Sequence, residues 1–124
     1  MSAAVYSGYL DYVDDGIESG DEIEVHELIL RGNELSFDLT TTWDEHGKWK
    51  RSGSAKQTSE TGVFESPFRP SKSVSGNEIG DPCSLIFKIK SANSKICELV
   101  GAWIENGQQY QFKGKLERKR IKPR

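Results

Sequence analysis

The chain between residues 83 and 118 alternates between apolar and polar positions, which is the pattern of strands with one buried face. The dipeptide Asn106-Gly107 stands between two of these runs, and it is the strongest short signal for a two-residue hairpin turn. A turn there places Trp103 opposite Tyr110 and leaves one face apolar along the whole hairpin. We therefore predict a long antiparallel meander with strands at 83–90, 95–105 and 108–118.

The first two thirds of the chain show the same period of two, and no segment has the period of a helix. The apolar set of the second run changes phase near His26-Glu27, which predicts a β-bulge there. Including this region brings the total to about eight strands, several of them about ten residues long. The further strands are expected at 4–13, 21–31, 34–43, 48–58 and 63–66.

Long neighbouring strands in a short chain coil and close, and an even number in sequential order lets the first and last strands pair antiparallel. We therefore predict an all-β protein in which residues 1–124 form a single up-and-down antiparallel β-barrel. A two-sheet β-sandwich is the alternative. The architecture broadly resembles the barrels of lipocalins, fatty-acid-binding proteins and avidins, but no motif of a particular family accompanies it. The resemblance therefore implies a shape and assigns no site residue.

Two segments stand apart from the predicted wall. The stretch from 67 to 82 is rich in Ser, Gly and Pro and is long for a connection, so we expect a flexible flap that contains one short strand near 72–75. The end of the chain, 118–124, is a basic tail. Basic tails bind nucleic acid electrostatically, but the aromatic residues of this chain mostly share the inward face, so we expect no nucleic-acid partner.

Composition and charge narrow the class of protein. The chain is 35% apolar and 29% charged, and its longest apolar runs are too short to cross a bilayer, so we expect a cytoplasmic protein with no membrane partner. Its net charge of −2 conceals an asymmetry, because residues 1–40 carry −9 and residues 41–124 carry +7. A closed meander places the acidic first strand beside the basic last one, where the charges partly neutralise each other.

The candidate metal and redox residues do not form recognised patterns. Cys83 and Cys97 are expected roughly 20 Å apart along the barrel, opposite Trp103 and Ile89, and therefore as reduced, buried thiols. His46 is expected in a solvated turn. The acidic loop 11–22 lacks the spacing of a calcium-binding EF-hand. We expect no metal, no cofactor and no catalytic residue.

Arg51 is the most unusual residue of the predicted interior. The parity of its strand points it inward, between Trp49 and Gly53 and opposite Thr41. A buried arginine needs a partner, because an unpaired charge in an apolar interior is very costly. Its planar fork suits the carboxylate or phosphate of an anionic ligand. The alternatives are an internal pair with Glu22, Glu24 or another acid, and a shifted register that leaves Arg51 outside.

Aromatic side chains predicted on the inward face give the lumen a surface for a ligand, and several inward glycines leave room there. A packed core is the alternative use of the same residues. We predict that the ligand-binding residues are Arg51, Trp49, Thr41, Trp103, Tyr110 and His26.

Three functions remain open from the sequence. The first is non-enzymatic binding of a small amphipathic or anionic organic ligand in the barrel lumen. The second is a protein-interaction module whose acidic N-terminal and basic C-terminal surfaces dock a charged partner or a second copy of the chain. The third is an enzyme that uses His26, Asp11 or Tyr12 for acid-base work, which no spacing of residues favours.

Overall fold

The computed structural model describes residues 3–14, 17–43 and 47–119, with the side chains of 17–20 left aside. This part of the chain forms nine β-strands and contains no helix that could span a membrane. The strands are β1 (Ala4–Asp14), β2 (Ile17–Arg31), β3 (Glu34–Trp43), β4 (Gly47–Gln57), β5 (Val63–Glu65), β6 (Arg69–Ser73), β7 (Ile79–Ala92), β8 (Ile96–Glu105) and β9 (Gln108–Arg118).

The strands close into an antiparallel up-and-down barrel with eight positions, which confirms the predicted architecture over the sandwich. Strands β1 to β4 follow one another around the wall, and β7, β8 and β9 complete it by pairing β9 with β1. The two short strands β5 and β6 share the single position between β4 and β7. At this position the barrel wall is therefore interrupted, at residues 66–68 between β5 and β6.

The register of the last hairpin and the bulge are as predicted. Trp103 lies opposite Tyr110 in the β8–β9 hairpin. In the β2–β3 pair, Val25 faces Leu39 and Glu27 faces Asp38, so His26 is the extra residue of a β-bulge. The phase change of the apolar pattern in β2 therefore has the cause that the sequence indicated.

Two predicted registers are wrong by two residues. Arg51 faces Leu39 rather than Thr41, because the β3–β4 hairpin closes earlier, with Trp43 opposite Gly47. In the β7–β8 hairpin the pairing is displaced by two residues in the other direction, so Cys83 lies opposite Glu105 rather than Trp103.

The β7–β8 register follows from local features near the turn. The side-chain oxygen of Asn93 accepts hydrogen bonds from the backbone N–H groups of Lys95 and Ile96, at 2.8 and 2.9 Å. A bulge between Ile89 and Ser91 then shifts the pairing again and sets Cys97 opposite Ala92. Cys97 and Cys83 are both buried, free thiols, as expected.

The interior is filled largely by side chains from opposite walls. The Phe87 ring on β7 contacts Phe37 on β3 and Phe112 on β9, with ring centroids 5.3 and 5.9 Å apart. Gly101 provides the room for Phe112, because a Cβ atom there would lie 2.7 Å from that ring. This inward glycine thus serves packing, one of the two uses that the sequence allowed.

The segment expected to be a flap, 67–82, contributes β6 and the first residues of β7 to the wall. Its short strand is Arg69–Ser73 rather than 72–75. The basic tail is described only through Lys119, and residues 120–124 lie outside the described part of the chain, as does His46. The predicted contact between the acidic start and the basic end is present, since Asp11 lies opposite Lys113 in the β1–β9 pair.

Candidate functional site

All three tryptophans of the chain lie toward the same end of the barrel. Trp43 is the last residue of β3, Trp49 is near the start of β4, and Trp103 is near the end of β8. Antiparallel strands that run up and down bring these positions to one rim. Tyr110 near the start of β9 and Tyr12 near the end of β1 join them. We call this group of five residues the Trp-rich end.

Trp43 occupies the centre of the Trp-rich end. Its ring contacts Trp103 at 5.4 Å, Tyr110 at 6.0 Å and Tyr12 at 6.4 Å between ring centroids. Because β3 and β8 are four positions apart in an eight-position barrel, the contact with Trp103 crosses the full width of the barrel. Trp103 is fully buried, whereas Tyr110 is 41% exposed and Trp43 is half-buried. The end is thus covered by aromatic rings that have one side in solvent.

A buried hydroxyl pair lies beneath these rings. The Tyr12 and Thr41 hydroxyl oxygens are 2.8 Å apart and share a hydrogen bond. Burial raises the pKa of Tyr12 well above its ordinary value, more than its hydrogen bonds lower it, so the phenol stays neutral. The indole Nε1 of Trp103 donates to Oε1 of Glu105 at 3.1 Å.

Arg51 lies deeper in the wall and is only 3% exposed. Its Nη2 donates to the carbonyl oxygens of Pro67 at 3.0 Å and Cys83 at 3.4 Å, and its Nη1 donates to that of Ser52 at 2.5 Å. The guanidinium carbon lies 5.3 Å from the centroid of the Phe37 ring, within cation–π distance. The buried Nε has no hydrogen-bond partner.

Arg51 is not paired with the acids that the sequence offered as alternatives. Among the residues with described side chains, no carboxylate oxygen lies within salt-bridge distance of its guanidinium. Glu24 instead lies 3.5 Å from His26, and Glu22 is exposed on the outside of the barrel. The alternative in which Arg51 itself points outward is also wrong.

The interruption of the wall explains how the guanidinium is accommodated. β4 pairs with β5 only through Lys56 and Gln57 and with β6 only through Trp49 and Lys50, so residues 51–55 have no ladder partner on that side. The guanidinium supplies donors to carbonyl groups beside this break. At Gly53 a Cβ atom would lie 2.8 Å from the Nη1 atom of Arg51, so glycine leaves the space that the guanidinium uses.

The thiol of Cys83 adjoins this group but is not a nucleophile at neutral pH. It donates to the carbonyl oxygen of Arg69 at 3.4 Å. Burial raises the pKa of Cys83 to about 11, although the charge of Arg51 acts in the opposite direction. Burial alone raises the pKa of Cys97 to about 11. Both sulfur atoms therefore stay protonated.

His26 is separate from the other predicted site residues. The bulge places it on the outside of the wall, where its Nε2 lies 2.8 Å from the Thr40 hydroxyl and its Nδ1 lies 3.5 Å from Glu24. The remaining predicted residues belong to the Trp-rich end or lie beside it: Arg51, Trp49, Thr41, Trp103 and Tyr110.

The inward pattern predicts Trp43 and Phe37 in the lumen, but it does not predict that Trp43 contacts three other rings or that Phe37 contacts Arg51. The signal for Trp43 is its place at the end of an alternating run, where an aromatic side chain reaches across a barrel mouth. Within the described ranges, no group of three or more His, Cys, Asp or Glu side chains could hold a metal ion. No protein-family model and no curated protein matches the chain.

Proposed function

We propose that this protein binds a small amphipathic or anionic organic molecule, without chemical conversion, at the Trp-rich end of the barrel. The observation that carries the proposal is Arg51, a guanidinium almost completely removed from water with a free Nε–H donor and no described carboxylate beside it. A buried charge without a counter-charge is costly, and an anionic ligand would offset that cost.

The surroundings of Arg51 suit a ligand with an apolar body. Trp49 is two residues away on the same strand, and the half-buried Trp43 offers a ring face at the rim. The hydroxyl pair of Tyr12 and Thr41 can accept or donate a hydrogen bond to a polar substituent. In this structure the ring of Trp43 occupies the centre of the Trp-rich end. On binding, the ligand takes the place of this ring, and Trp43 turns toward solvent.

The neutral states of nearby groups support binding rather than catalysis. Cys83 and Tyr12 both stay protonated at neutral pH, so neither supplies an anionic nucleophile next to Arg51. We also place the protein in the cytoplasm, because its two buried thiols are free and a reducing compartment keeps them so.

A fluorescence titration with 8-anilinonaphthalene-1-sulfonate tests the proposal, because this probe combines a sulfonate with an aromatic body and brightens in apolar sites. Because all three tryptophans lie toward the proposed site, energy transfer from tryptophan to the probe reports binding there. We expect saturable binding to the wild-type protein. The variant Arg51→Met removes the charge and the hydrogen-bond donors and keeps an unbranched apolar stem, and we expect it to bind roughly 10–100-fold more weakly.

The matched control is Arg69→Met, which makes the same change on an exposed arginine of β6. We expect Arg69→Met to bind as the wild type does, and circular dichroism to show the same strand content in all three proteins. Equal affinity of wild type and Arg51→Met would refute the role of Arg51. A lack of any saturable signal, for this probe and for a panel of aromatic and fatty carboxylates, would refute the proposed function.

A further inference from the structure

Charges are segregated on the outside of the barrel. The outward positions of β1, β2 and β3 carry carboxylates, which we call the acidic wall: Asp11, Glu22, Glu24, Glu27 and Asp38. The outward positions of β4 and β6 carry ammonium groups, which we call the basic wall: Lys48, Lys50 and Lys72. The two walls meet along the β3–β4 pair, where short polar side chains lie beside the charged ones; we call these residues the polar stripe: Ser36, Thr40, Thr42, Ser52 and Ser54.

Within each wall, like charges lie directly opposite one another. Lys50 faces Lys72 across the β4–β6 pair. Asp11 faces Glu22 across the β1–β2 pair. Glu27 and Asp38 face each other across the β2–β3 pair. Like charges in such cross-strand positions destabilise a sheet.

Within the described part of the chain the repulsion is largely unrelieved, apart from Lys113, which lies opposite Asp11 in the β1–β9 pair. No described carboxylate lies within 4.0 Å of the ammonium groups of Lys50 or Lys72. On the acidic wall, the described ion pair is the one between Glu24 and His26. The two walls therefore present largely unneutralised charge of opposite sign on the two sides of the line along which β3 and β4 pair.

We infer that the occupant of this surface is a second copy of the same chain, in a two-fold symmetric dimer. A two-fold axis through the polar stripe brings the acidic wall of each copy opposite the basic wall of the other, so both sets of contacts form twice. The short side chains of the stripe let the two sheets approach near the axis. The interface uses outward residues and is separate from the residues of the Trp-rich end.

The side-by-side arrangement of the two walls favours a second copy over other charged partners. A nucleic acid would be attracted by Lys50 and Lys72 but repelled by the neighbouring carboxylates of Glu27 and Asp38. A second copy matches both signs at once. Because exposed ion pairs contribute roughly 0.2–1 kcal/mol each and are screened by salt, the dimer is weak and dissociates as salt is added.

Sedimentation velocity at protein concentrations from about 10 to 500 µM tests the inference. We expect the wild type to shift from monomer to dimer with rising concentration at about 50 mM salt, and to remain monomeric at about 500 mM salt. This measurement needs no substitution. A wild type that stays monomeric at every concentration in low salt would overturn the inference.

Two charge-reversal variants test the geometry. The variant Lys50→Glu/Lys72→Glu has acidic groups on both walls, and the variant Glu22→Lys/Glu27→Lys places two lysines among the three remaining carboxylates of the acidic wall. We expect each to be monomeric alone, because the first repels its own copies and the second loses most of the attraction between its two walls. Mixed in equal amounts they should form a dimer, since each then meets its complement. A mixture that stays monomeric, or either variant forming dimers alone, would contradict the proposed contact.

A control variant separates this effect from the change in net charge. Lys90→Glu/Lys95→Glu makes the same change of charge at the exposed β7–β8 hairpin, which belongs to neither wall. We expect this variant to dimerise as the wild type does. Loss of its dimer would show that total charge governs association, and would also overturn the inference. Tryptophan fluorescence and thermal unfolding of each variant confirm that the barrel is intact.

Discussion

A methyl group at Gly101 provides the sharpest test of how the interior is packed. The variant Gly101→Ala places a Cβ atom against the carbonyl oxygen of Ile86 and 2.7–2.8 Å from two ring carbons of Phe112. Carbon atoms in ordinary contact are separated by about 3.5 Å, so the ring must retreat by roughly 0.8 Å. Phe112 is only 1% exposed and already contacts Phe87 and Tyr12, so it has little space to move into.

The expected cost follows from these contacts. An extra methyl group in a packed core costs about 1–3 kcal/mol, and the contact with the Ile86 backbone adds to it, because a strand moves less readily than a side chain. We expect Gly101→Ala to lower the free energy of unfolding by about 3–4 kcal/mol. For a domain of this size, that lowers the melting temperature by roughly 10–20 °C.

Thermal unfolding followed by tryptophan fluorescence and by circular dichroism measures this change. The control is Gly76→Ala, because a Cβ atom there has its nearest neighbour, the Ser73 hydroxyl, at 3.8 Å. We expect this control to lie within about 0.5 kcal/mol of the wild type. If Gly101→Ala also lies within about 1 kcal/mol of the wild type, the described packing around Phe112 is wrong.

Two further predictions concern buried polar groups. Burial raises the pKa of Cys83 and Cys97 to about 11. The folded chain therefore keeps two thiol protons that the unfolded chain releases above about pH 8.5. The stability that results is fully present below that pH and is lost as the pH rises toward about 11. The free energy of unfolding in urea should decline between pH 7 and 11, and it should decline less steeply in the variant with both cysteines replaced by alanine. Equal pH dependence in the two proteins would contradict the raised pKa of the two thiols. Thr41→Val should lower the free energy of unfolding by about 1–2 kcal/mol, because it removes the hydrogen-bond partner of the Tyr12 hydroxyl. If its effect and that of Tyr12→Phe are additive in a double-mutant cycle, the two hydroxyl groups do not share a hydrogen bond.

The sequence predicts the barrel well where turn chemistry and alternation agree. Asn106-Gly107 sets the register of β8 and β9, and so places Trp103 opposite Tyr110. The phase change at His26 predicts the bulge because the buried face of a strand carries apolar side chains along its whole length, and an extra residue is needed where their spacing changes.

Prediction fails where no local rule determines the pairing. Arg51 lies two residues from its expected partner because the sequence between β3 and β4 does not specify a turn type. The division of one barrel position into β5 and β6 was also missed. Its cause is visible in Pro67 and Pro70, which have no N–H group to donate to a ladder.

Five of the six candidate site residues lie at or beside the Trp-rich end, and their inward parity and strand positions are enough to predict that they lie near one another. His26 is the exception. It is the extra residue of a bulge, and the sequence does not show whether the side chain of such a residue faces the interior or the outside. The contacts of the Arg51 guanidinium could not have been predicted, since they depend on carbonyl groups of Pro67 and Cys83 that only the tertiary fold brings near.

The break between β5 and β6 has a consequence for how the barrel fluctuates. Cross-strand hydrogen bonding is continuous in a fully paired wall, but the free side of β4 at residues 51–55 is closed by the guanidinium of Arg51, while the hydroxyl groups of Ser66 and Ser84 hold the segment after β5 against β7. Such a closure opens at less cost than a ladder does. We expect amide hydrogens beside this slit to exchange with deuterium sooner than those of β8 and β9, and water to reach the interior by the same route.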